Sequence, residues 1–262
     1  MSSRPGFPAV LAVVSLKGGS GKSVTAANLG AVAVERGYST ILVDADPSAG
    51  LAYALGCEPA AVVAEGKTLH AALAAGTDRA RIEAQLLRTV DGAELLAGTA
   101  TLFSDEARAK TTIPRLVAVL RELADVVIID SPPSFSGLTQ GASLAADAIL
   151  VTTLLEPLST MTLPLVFELA EALGISRDRI AGIIPSMVTD RLALSRDQLG
   201  ELERLADSVP ILESIPRATL VAAATLAGRP IVAVAPNATA SIAFRKLADA
   251  LGYRPKQAPD HG

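Results

Sequence analysis

A glycine-rich segment near the start of the chain limits what the protein can fold into more than any other feature of its sequence. Residues 15–23 read SLKGGSGKS and lie between an apolar run and a helix-forming stretch. Glycines let the backbone curl so that several N–H groups converge on one anion, and the following helix directs its positive end at the same point. Here Lys22 is placed to contact outer phosphates and the Ser23 hydroxyl to bind Mg²⁺. The segment predicts a loop that binds nucleotide phosphates, here named the phosphate loop.

Short apolar runs alternate with helical patterns along the rest of the chain. Most runs are apolar at successive positions, as strands of a parallel sheet covered on both faces are. The predicted strands are Ala9–Ser15, Thr40–Val43, Glu94–Ala97, Val126–Ile129, Ala148–Thr152 and Ile180–Ile184. The predicted helices include Lys22–Arg36, Ile113–Leu123, Ser159–Leu173 and Arg196–Asp207. This alternation predicts an open α/β sheet. Together with the phosphate loop it leads us to expect a three-layer P-loop NTPase fold, with a mostly parallel twisted sheet flanked by helices.

The same patterns predict the domain organisation. No linker-like stretch, internal repeat or heptad seam interrupts the alternation of strands and helices. We therefore expect a single domain over residues 8–252. Residues 1–7 are expected to form a flexible N-terminus, and the polar, proline-containing residues 253–262 a flexible tail.

Two of the apolar runs end in aspartate. ILVDADP, residues 41–47, places Asp44 and Asp46 after the second run, and VVIIDSPP, residues 126–133, places Asp130 after the fourth. The carboxyl ends of parallel strands lie along one edge of a sheet, so these carboxylates are expected beside the phosphate loop. Acidic groups beside a triphosphate are costly unless they meet Mg²⁺ or water. Asp130 fits the Walker B position, which holds Mg²⁺ through water, and Asp44 is expected to support the ion's water shell.

The phosphate loop departs from the usual GxxxxGK[ST] pattern in an informative way. Leu16 stands five positions before Gly21, where that pattern has glycine, and a second lysine, Lys17, follows it. With the two aspartate motifs in order behind it, the form KGGSGKS resembles the ParA/MinD family of deviant Walker-A P-loop ATPases. The resemblance covers residues 8–252 and is greatest to single-domain ParA partition and positioning ATPases.

This resemblance implies an enzyme that hydrolyses ATP to ADP and phosphate with Mg²⁺. In the family the first lysine of the loop reaches the ATP of a partner subunit, which assigns that part to Lys17. Catalysis would then use Lys17, Lys22 and Asp46, with Asp46 orienting the attacking water. The implied nucleotide-binding residues are Lys17, Gly18, Gly19, Ser20, Gly21, Lys22, Ser23, Val24 and Pro216, and the implied metal-binding residues are Ser23, Asp44 and Asp130.

The resemblance also implies a biological role. Such a protein would form an ATP-sandwich homodimer, bind DNA non-specifically and position plasmid, chromosome or protein cargo. A stimulating ParB-like or cargo-adaptor protein would trigger hydrolysis, and the protein would be cytoplasmic and nucleoid-associated. The candidate DNA contacts in the C-terminal third are Arg191, Arg217 and Arg245. The segment after Pro216 departs from the partition pattern, because Leu220 stands where another arginine is expected.

Composition excludes some classes of function but does not identify one. The chain has 23 Lys and Arg against 27 Asp and Glu, a net charge of −4, which argues against a strongly basic nucleic-acid-binding protein. Residues 1–176 carry −6 and residues 177–262 carry +2, so the C-terminal third permits a basic face. One cysteine, Cys57, allows no internal disulfide and argues against an electron-transfer relative that holds a metal cluster. No apolar run reaches the ~18 residues of a membrane-spanning helix, so no stable membrane insertion is expected.

Two other functions stay open at this point. A MinD-like membrane-cycling regulator would need a C-terminal amphipathic helix. Ser241–Leu251 has suitable apolar spacing, although a helix packed on the sheet explains that spacing more simply. A small-molecule ligase or kinase of the same fold would need a substrate pocket, and the sequence offers no separate group of residues for one.

Overall fold

The structure is a computed structural model that describes residues 6–189 and 196–256. Its centre is an eight-stranded sheet with the strand order β3-β4-β2-β5-β1-β6-β7-β8. The strands are β1 Val10–Val14, β2 Thr40–Asp44, β3 Leu87–Arg88, β4 Glu94–Leu96, β5 Val126–Asp130, β6 Ala148–Leu154, β7 Ile180–Val188 and β8 Ile215–Pro216. All neighbours are parallel except β3 and β4. This topology confirms the predicted α/β fold.

Helices pack on both faces of this sheet. In the described residues they are α1 Lys22–Glu35, α2 Gly50–Ala54, α3 Pro59–Glu65, α4 Leu69–Ala74, α5 Arg79–Glu83, α6 Glu106–Leu123, α7 Gly137–Ala145, α8 Pro157–Thr160, α9 Leu163–Ala172, α10 Arg196–Ala206, α11 Thr219–Leu226, α12 Ile231–Val234 and α13 Thr239–Ala250. Successive side chains of a strand point to opposite faces. Val10 and Ala12 of β1 accordingly join one hydrophobic cluster, with α6, α7 and α9, while Leu11 and Val13 join another, with α1 and α13. The result is the predicted three layers.

The predicted elements are present, with differences that have local causes. The predicted helix Ser159–Leu173 is divided into α8 and α9, and Pro164 lies in the first turn of α9, where its missing N–H costs least. The helix predicted from Ile113 begins seven residues earlier, at Glu106, and Pro114 lies inside it. Buried residues on both sides of this proline follow the helical repeat, so packing of the apolar face outweighs the lost hydrogen bond.

Two glycines bring α6 and α7 into backbone contact. A Cβ atom added at Gly137 would overlap the carbonyl oxygen of Glu106, and one added at Gly141 would overlap that of Ala109. The Glu106 carboxylate also accepts a hydrogen bond from the Gly137 N–H, at 3.2 Å. The two helices therefore pack more closely than side chains at these positions would allow.

An aromatic cluster extends the packed region past both predicted domain boundaries. The rings of Phe7, Tyr38 and Tyr253 lie 4.8 to 6.0 Å apart between centroids. Tyr253 is fully buried, and its hydroxyl donates a hydrogen bond to the Pro8 carbonyl oxygen at 2.7 Å. Tyr253 therefore belongs to the packed region, since its large apolar ring anchors a segment whose composition is otherwise polar. Residues 257–262 lie outside the described ranges.

Candidate active site

The phosphate loop joins β1 to α1 at the carboxyl edge of the sheet. Gly19 and Gly21 have φ values of 74° and 85°, in the left-handed region that glycine adopts without strain. Gly21 is also the N-cap of α1 and supplies no capping side chain, so the first N–H groups of the helix point into the loop. The Ser20 Oγ lies 2.9 Å from the Thr152 Oγ1 of β6, and both side chains are buried. The loop is thus tied to the sheet in a shape suited to an anion.

The Lys22 side chain is buried at the end of this loop, with 6% of the residue exposed. Burial lowers the pKa of its ammonium group, while the nearby carboxylates of Asp130 and Asp46 act in the opposite direction. The structure therefore brings together the three groups that the sequence proposed for this site. A buried cation at a helix N-terminus is suited to binding phosphate oxygens.

Asp130 is fully buried at the end of β5, and within the described residues neither of its carboxylate oxygens has a hydrogen-bond partner. Burial raises its pKa to about 7, although the neighbouring Ser23 hydroxyl and Lys22 favour the charged form. A buried carboxylate without partners is costly unless a cation joins it. Within the described ranges, no three acidic, histidine or cysteine side chains form a metal cage. Mg²⁺ is commonly held by one or two carboxylates with phosphates and water, and Ser23 and Asp130 fit that donor set.

The burial of Asp130 predicts a dependence of stability on pH. Its pKa near 7 in the folded state compares with 3.8 for an unperturbed aspartate, so the folded state binds the proton more tightly. This group therefore reduces stability as pH rises from about 4, and its full cost, roughly 4 kcal/mol, is reached above pH 7. Asp130→Asn should stabilise the nucleotide-free protein by up to that amount at pH 8 and by much less at pH 5. Urea unfolding at both pH values measures this difference, and Asp178→Asn, at an exposed position, is the control. An equal increase in the free energy of unfolding at pH 5 and pH 8 would exclude the Asp130 carboxylate as its source.

Backbone groups orient the two aspartates that follow β2. The Asp44 carboxylate is fully buried and accepts hydrogen bonds from the N–H groups of Ala52, at 2.9 Å, and of Asp46, at 3.2 Å. Burial and the nearby Asp130 raise the pKa of Asp44 well above its usual range. Asp44 accepts one backbone hydrogen bond on each oxygen and so shapes the loop that carries Asp46, while its place in the metal's water shell stays a prediction. The Asp46 Oδ1 accepts a hydrogen bond from the Ser48 N–H at 2.8 Å, which fixes that carboxylate.

Two glycines that the sequence reasoning missed also shape the site. A Cβ atom at Gly98 would lie 2.6 Å from the carbonyl oxygen of Asp46 and 2.7 Å from that of Asp44. A Cβ atom at Gly50 would lie 2.9 Å from the Ser23 Oγ. Neither glycine belongs to a glycine-rich motif, and the only signal for Gly98 in the sequence is its position directly after a predicted strand.

Gly98→Ala should therefore impair both folding and hydrolysis. The added methyl group meets backbone atoms, which move less easily than a side chain, and such overpacking costs about 1–3 kcal/mol. The shift displaces the segment that carries Asp46, so ATP hydrolysis should fall as well. Urea unfolding and an ATPase assay measure the two effects. Gly200→Ala is the matched control, because no atom lies within 4 Å of the added Cβ and alanine favours the interior of α10.

Lys17 lies at the same carboxyl edge of the sheet and forms an ion pair within its own chain. Its Nζ lies 2.6 Å from the Glu156 Oε2, and the two side chains are 33% and 63% exposed. Exposed ion pairs of this kind contribute about 0–1 kcal/mol, so Lys17 can leave Glu156 at little cost. The sequence analysis did not predict this ion pair.

A cavity of about 630 Å³ adjoins the phosphate loop. Its lining is mostly apolar and includes Val24 and Pro216, two of the predicted nucleotide contacts. The Ser186 hydroxyl of β7 lines it as well; it is buried and has no hydrogen-bond partner in the part of the chain that the structure describes. A volume of this size, with a mostly apolar wall and a few polar side chains, suits a small ligand. Ser186 was not predicted from the sequence.

The three candidate DNA contacts have different outcomes. Arg217 is exposed directly after β8. Arg245 binds both carboxylate oxygens of Glu35, at 3.0 to 3.2 Å, and donates to the Pro236 carbonyl oxygen at 2.6 Å. Its guanidinium therefore joins α13 to α1, and its assignment as a DNA contact stays a prediction. Arg191 lies outside the described residues.

The loop, the sheet edge and the aspartates together define a P-loop NTPase. The sequence profile of the CobQ/CobB/MinD/ParA nucleotide binding domain matches residues 11–231. The chain belongs to this family, whose members are P-loop ATPases, and the predicted resemblance is confirmed.

Individual relatives agree with this placement. The chain is 30% identical over 252 residues to the chromosome-partitioning ATPase Soj of Thermus thermophilus, covering 95% of this chain and 97% of Soj. It is 32% identical over 169 residues to a putative replication protein A of Rhizobium rhizogenes, covering 59% of this chain but only 42% of that protein. Cobyrinic acid a,c-diamide synthase from Mycobacterium smegmatis, solved with a bound ATP analogue and magnesium, has a TM-score of 0.75 and 31% identity, covering 92% of this chain and 93% of that one. Nucleotide and Mg²⁺ are thus bound by proteins of this family.

Proposed function

We propose that this chain is an ATPase that dimerises around ATP, binds DNA non-specifically in that state and positions a cargo. The observation that carries this proposal is the pair of lysines on the phosphate loop. Lys22 is buried beside Asp130 and Asp46, whereas Lys17 is partly exposed at the same edge and is held by one weak ion pair. Lys22 would therefore contact the nucleotide of its own chain, and Lys17 would contact the nucleotide of a facing subunit.

The residues around the loop suggest how hydrolysis would proceed. Lys22 and the N-terminus of α1 would hold the outer phosphates, and Ser23 and Asp130 would hold Mg²⁺, which when bound neutralises phosphate charge. Asp46, fixed by the Ser48 N–H, would orient a water molecule toward the γ-phosphorus and accept its proton. Lys17 of the facing subunit would stabilise the negative charge that builds up on the departing ADP oxygen. The bond broken is that between the γ-phosphorus and the bridging oxygen, and the products are ADP and phosphate.

Exposed apolar side chains at the carboxyl edge support a dimer interface there. Phe103, Met161 and Met187 follow or end β4, β6 and β7, and they expose 70%, 67% and 43% of their surface. Large exposed apolar residues that share one edge are typical of a protein interface. Their position on the edge that carries Lys17 is the one an ATP-sandwich dimer requires.

DNA binding and cargo positioning are supported mainly by similarity to named relatives. Soj of Thermus thermophilus is named a chromosome-partitioning ATPase, and the match covers nearly the whole of both chains. In this chain Arg217 is exposed in the C-terminal third, whose sequence charge is +2. A dimer would present each such arginine twice, which favours binding to a polyanion. A ParB-like or cargo-adaptor protein would then stimulate hydrolysis and release the DNA.

The test is binding to a non-specific DNA duplex with ATP, with ADP and without nucleotide, at several salt concentrations. Binding should require ATP and weaken steeply with salt, because each phosphate contact adds about 0.9 to the slope of log affinity against log salt. Arg217→Ala and Arg191→Ala should each reduce that slope. Arg115→Ala, an exposed arginine on α6, is the control and should leave it unchanged. Absence of binding in every condition, with the ATP dimer intact, would contradict the DNA-based part of the proposal.

The structure weakens the membrane-cycling alternative. The apolar face of α13 packs into the core, where Phe244 and Leu247 are fully buried, and only Ile242 among its large apolar residues is notably exposed. The simpler sequence interpretation, a helix packed on the sheet, is therefore confirmed. None of the described helices is both long and apolar enough to span a bilayer.

A small-molecule ligase is the second candidate, favoured by the 31% identity to cobyrinic acid a,c-diamide synthase. If this chain acts on a small carboxylic acid, that substrate should raise ATP turnover without DNA or a partner protein. An ATPase assay with cobyrinic acid and glutamine as probes separates the two functions.

A further inference from the structure

Gly50 is the first residue of α2, and its backbone conformation does not require glycine. Its φ lies outside the left-handed region, unlike those of Gly19 and Gly21, so other amino acids could adopt the same backbone. Alanine also favours a helical position more than glycine does. The reason for a glycine at this position therefore lies in its surroundings.

The Ser23 hydroxyl occupies the space that a side chain at position 50 would take. A Cβ atom there would lie 2.9 Å from the Ser23 Oγ, whereas ordinary van der Waals contact begins at about 3.4 Å. The two atoms would have to separate by about 0.5 Å. The Ser23 Cβ, at 3.6 Å, is in ordinary contact. The hydroxyl alone is thus what excludes a side chain at Gly50.

The backbone at Gly50 is held by the two aspartates that follow β2. The Ala49 N–H donates to the Asp46 carbonyl oxygen at 3.0 Å, and the Ala52 N–H donates to the Asp44 carboxylate at 2.9 Å. Ala49 is buried and has a φ of 58°, a conformation that is strained for a residue with a side chain. This hydrogen-bonded turn keeps the Gly50 backbone against the hydroxyl.

We propose that Gly50 is a positioning residue for the magnesium site, because its missing side chain lets the Ser23 hydroxyl point at the metal. This inference rests on the proposed function, in which Ser23 and Asp130 hold Mg²⁺. The hydroxyl lies beside the Asp130 carboxylate, so the two donors are close to one another. Mg²⁺ requires near-octahedral ligands at about 2.0–2.1 Å, so a displaced hydroxyl cannot serve as one.

A methyl group at position 50 would turn the hydroxyl rather than move the backbone. The Ser23 side chain rotates about a single bond between staggered positions, whereas hydrogen bonds hold the chain on both sides of Gly50. The contact differs from that of Gly98, where an added methyl group would meet carbonyl oxygens. Gly50→Ala should therefore keep the fold intact and weaken the metal site.

The affinity for Mg²⁺ tests this directly. Gly50→Ala should lower it about 10–100-fold, the range typical of losing a group that orients a metal ligand. A fluorescent ATP analogue is titrated at a series of Mg²⁺ concentrations, and the concentration giving half of the metal-dependent gain in nucleotide affinity is measured. Affinity for the analogue in EDTA and the free energy of unfolding without nucleotide should not fall. Gly200→Ala, where no atom lies within 4 Å of the added Cβ, is the control.

Combining the change with Ser23→Ala distinguishes positioning from a general disturbance of the site. Without the Oγ, position 23 offers only its Cβ to the added methyl group, at an ordinary contact distance. Gly50→Ala should then have no further effect on Mg²⁺ affinity in the Ser23→Ala background. An equal loss in both backgrounds, or parental Mg²⁺ affinity in Gly50→Ala alone, would overturn the inference.

The same variants separate this inference from the proposed function. If Ser23→Ala loses Mg²⁺ affinity and Gly50→Ala does not, only the role of Gly50 is wrong. If Ser23→Ala keeps parental Mg²⁺ affinity, Ser23 is not a ligand, and both the role of Gly50 and the proposed metal site are wrong. Sedimentation of the parental chain with Mg·ATP measures the dimer independently. Absence of that dimer contradicts the proposed function, while the Mg²⁺ titration still decides the role of Gly50.

Discussion

Asp46→Asn is expected to slow ATP hydrolysis by about 10²–10⁴-fold while ATP stays bound, the effect typical of losing a general base. Asparagine keeps the oxygen that accepts the Ser48 N–H, so the turn after β2 should retain its shape. It removes the negative charge that would draw the proton from the attacking water. Single-turnover hydrolysis measures the chemical step, and sedimentation with ATP should show the trapped dimer accumulating.

Asp46→Ala provides a second, more severe variant. Alanine removes the charge and also the acceptor for the Ser48 N–H, so a difference between the two variants isolates the structural role of the side chain. Both should trap ATP in the dimer. Hydrolysis at the parental rate in Asp46→Asn would show that another group activates the water.

Lys22→Ala should reduce ATP affinity by at least about 100-fold, because it removes a charge-assisted contact worth about 3 kcal/mol. The variant also leaves the buried carboxylates of Asp130 and Asp46 without their neighbouring cation. Titration with a fluorescent ATP analogue measures the affinity, and circular dichroism checks that the variant is folded.

Lys17→Ala is the informative comparison for Lys22→Ala. If the two lysines have the separate roles proposed, Lys17→Ala binds ATP with nearly parental affinity but fails to dimerise. Lys67→Ala, which removes an exposed lysine, should change neither property. Equal loss of ATP affinity in Lys17→Ala and Lys22→Ala would mean that both lysines serve the same nucleotide.

The sequence predicted the sheet because its central strands are apolar on both faces and end in recognisable motifs. The two-residue strands β3 and β8 were missed, since so short a segment carries no periodic signal. Gly98 was missed because its importance lies in the distance to Asp44 and Asp46, which are more than 50 positions away in the chain. The ion pair between Arg245 and Glu35 was missed for the same reason, since the two residues lie 210 positions apart in the chain.

The backbone contact between α6 and α7 has a mechanical consequence. The segment Ser131–Ser136 connects Asp130 to α7, so a displacement of that segment when phosphate enters or leaves would pull on α7. Since α6 and α7 approach each other at backbone distance at Gly137 and Gly141, we expect α6 to move together with α7. The exposed Lys110 and Arg115 on α6 would then be displaced relative to the rest of the protein. The distance from a spin label at either position to one on α13 should change between the ADP and ATP states.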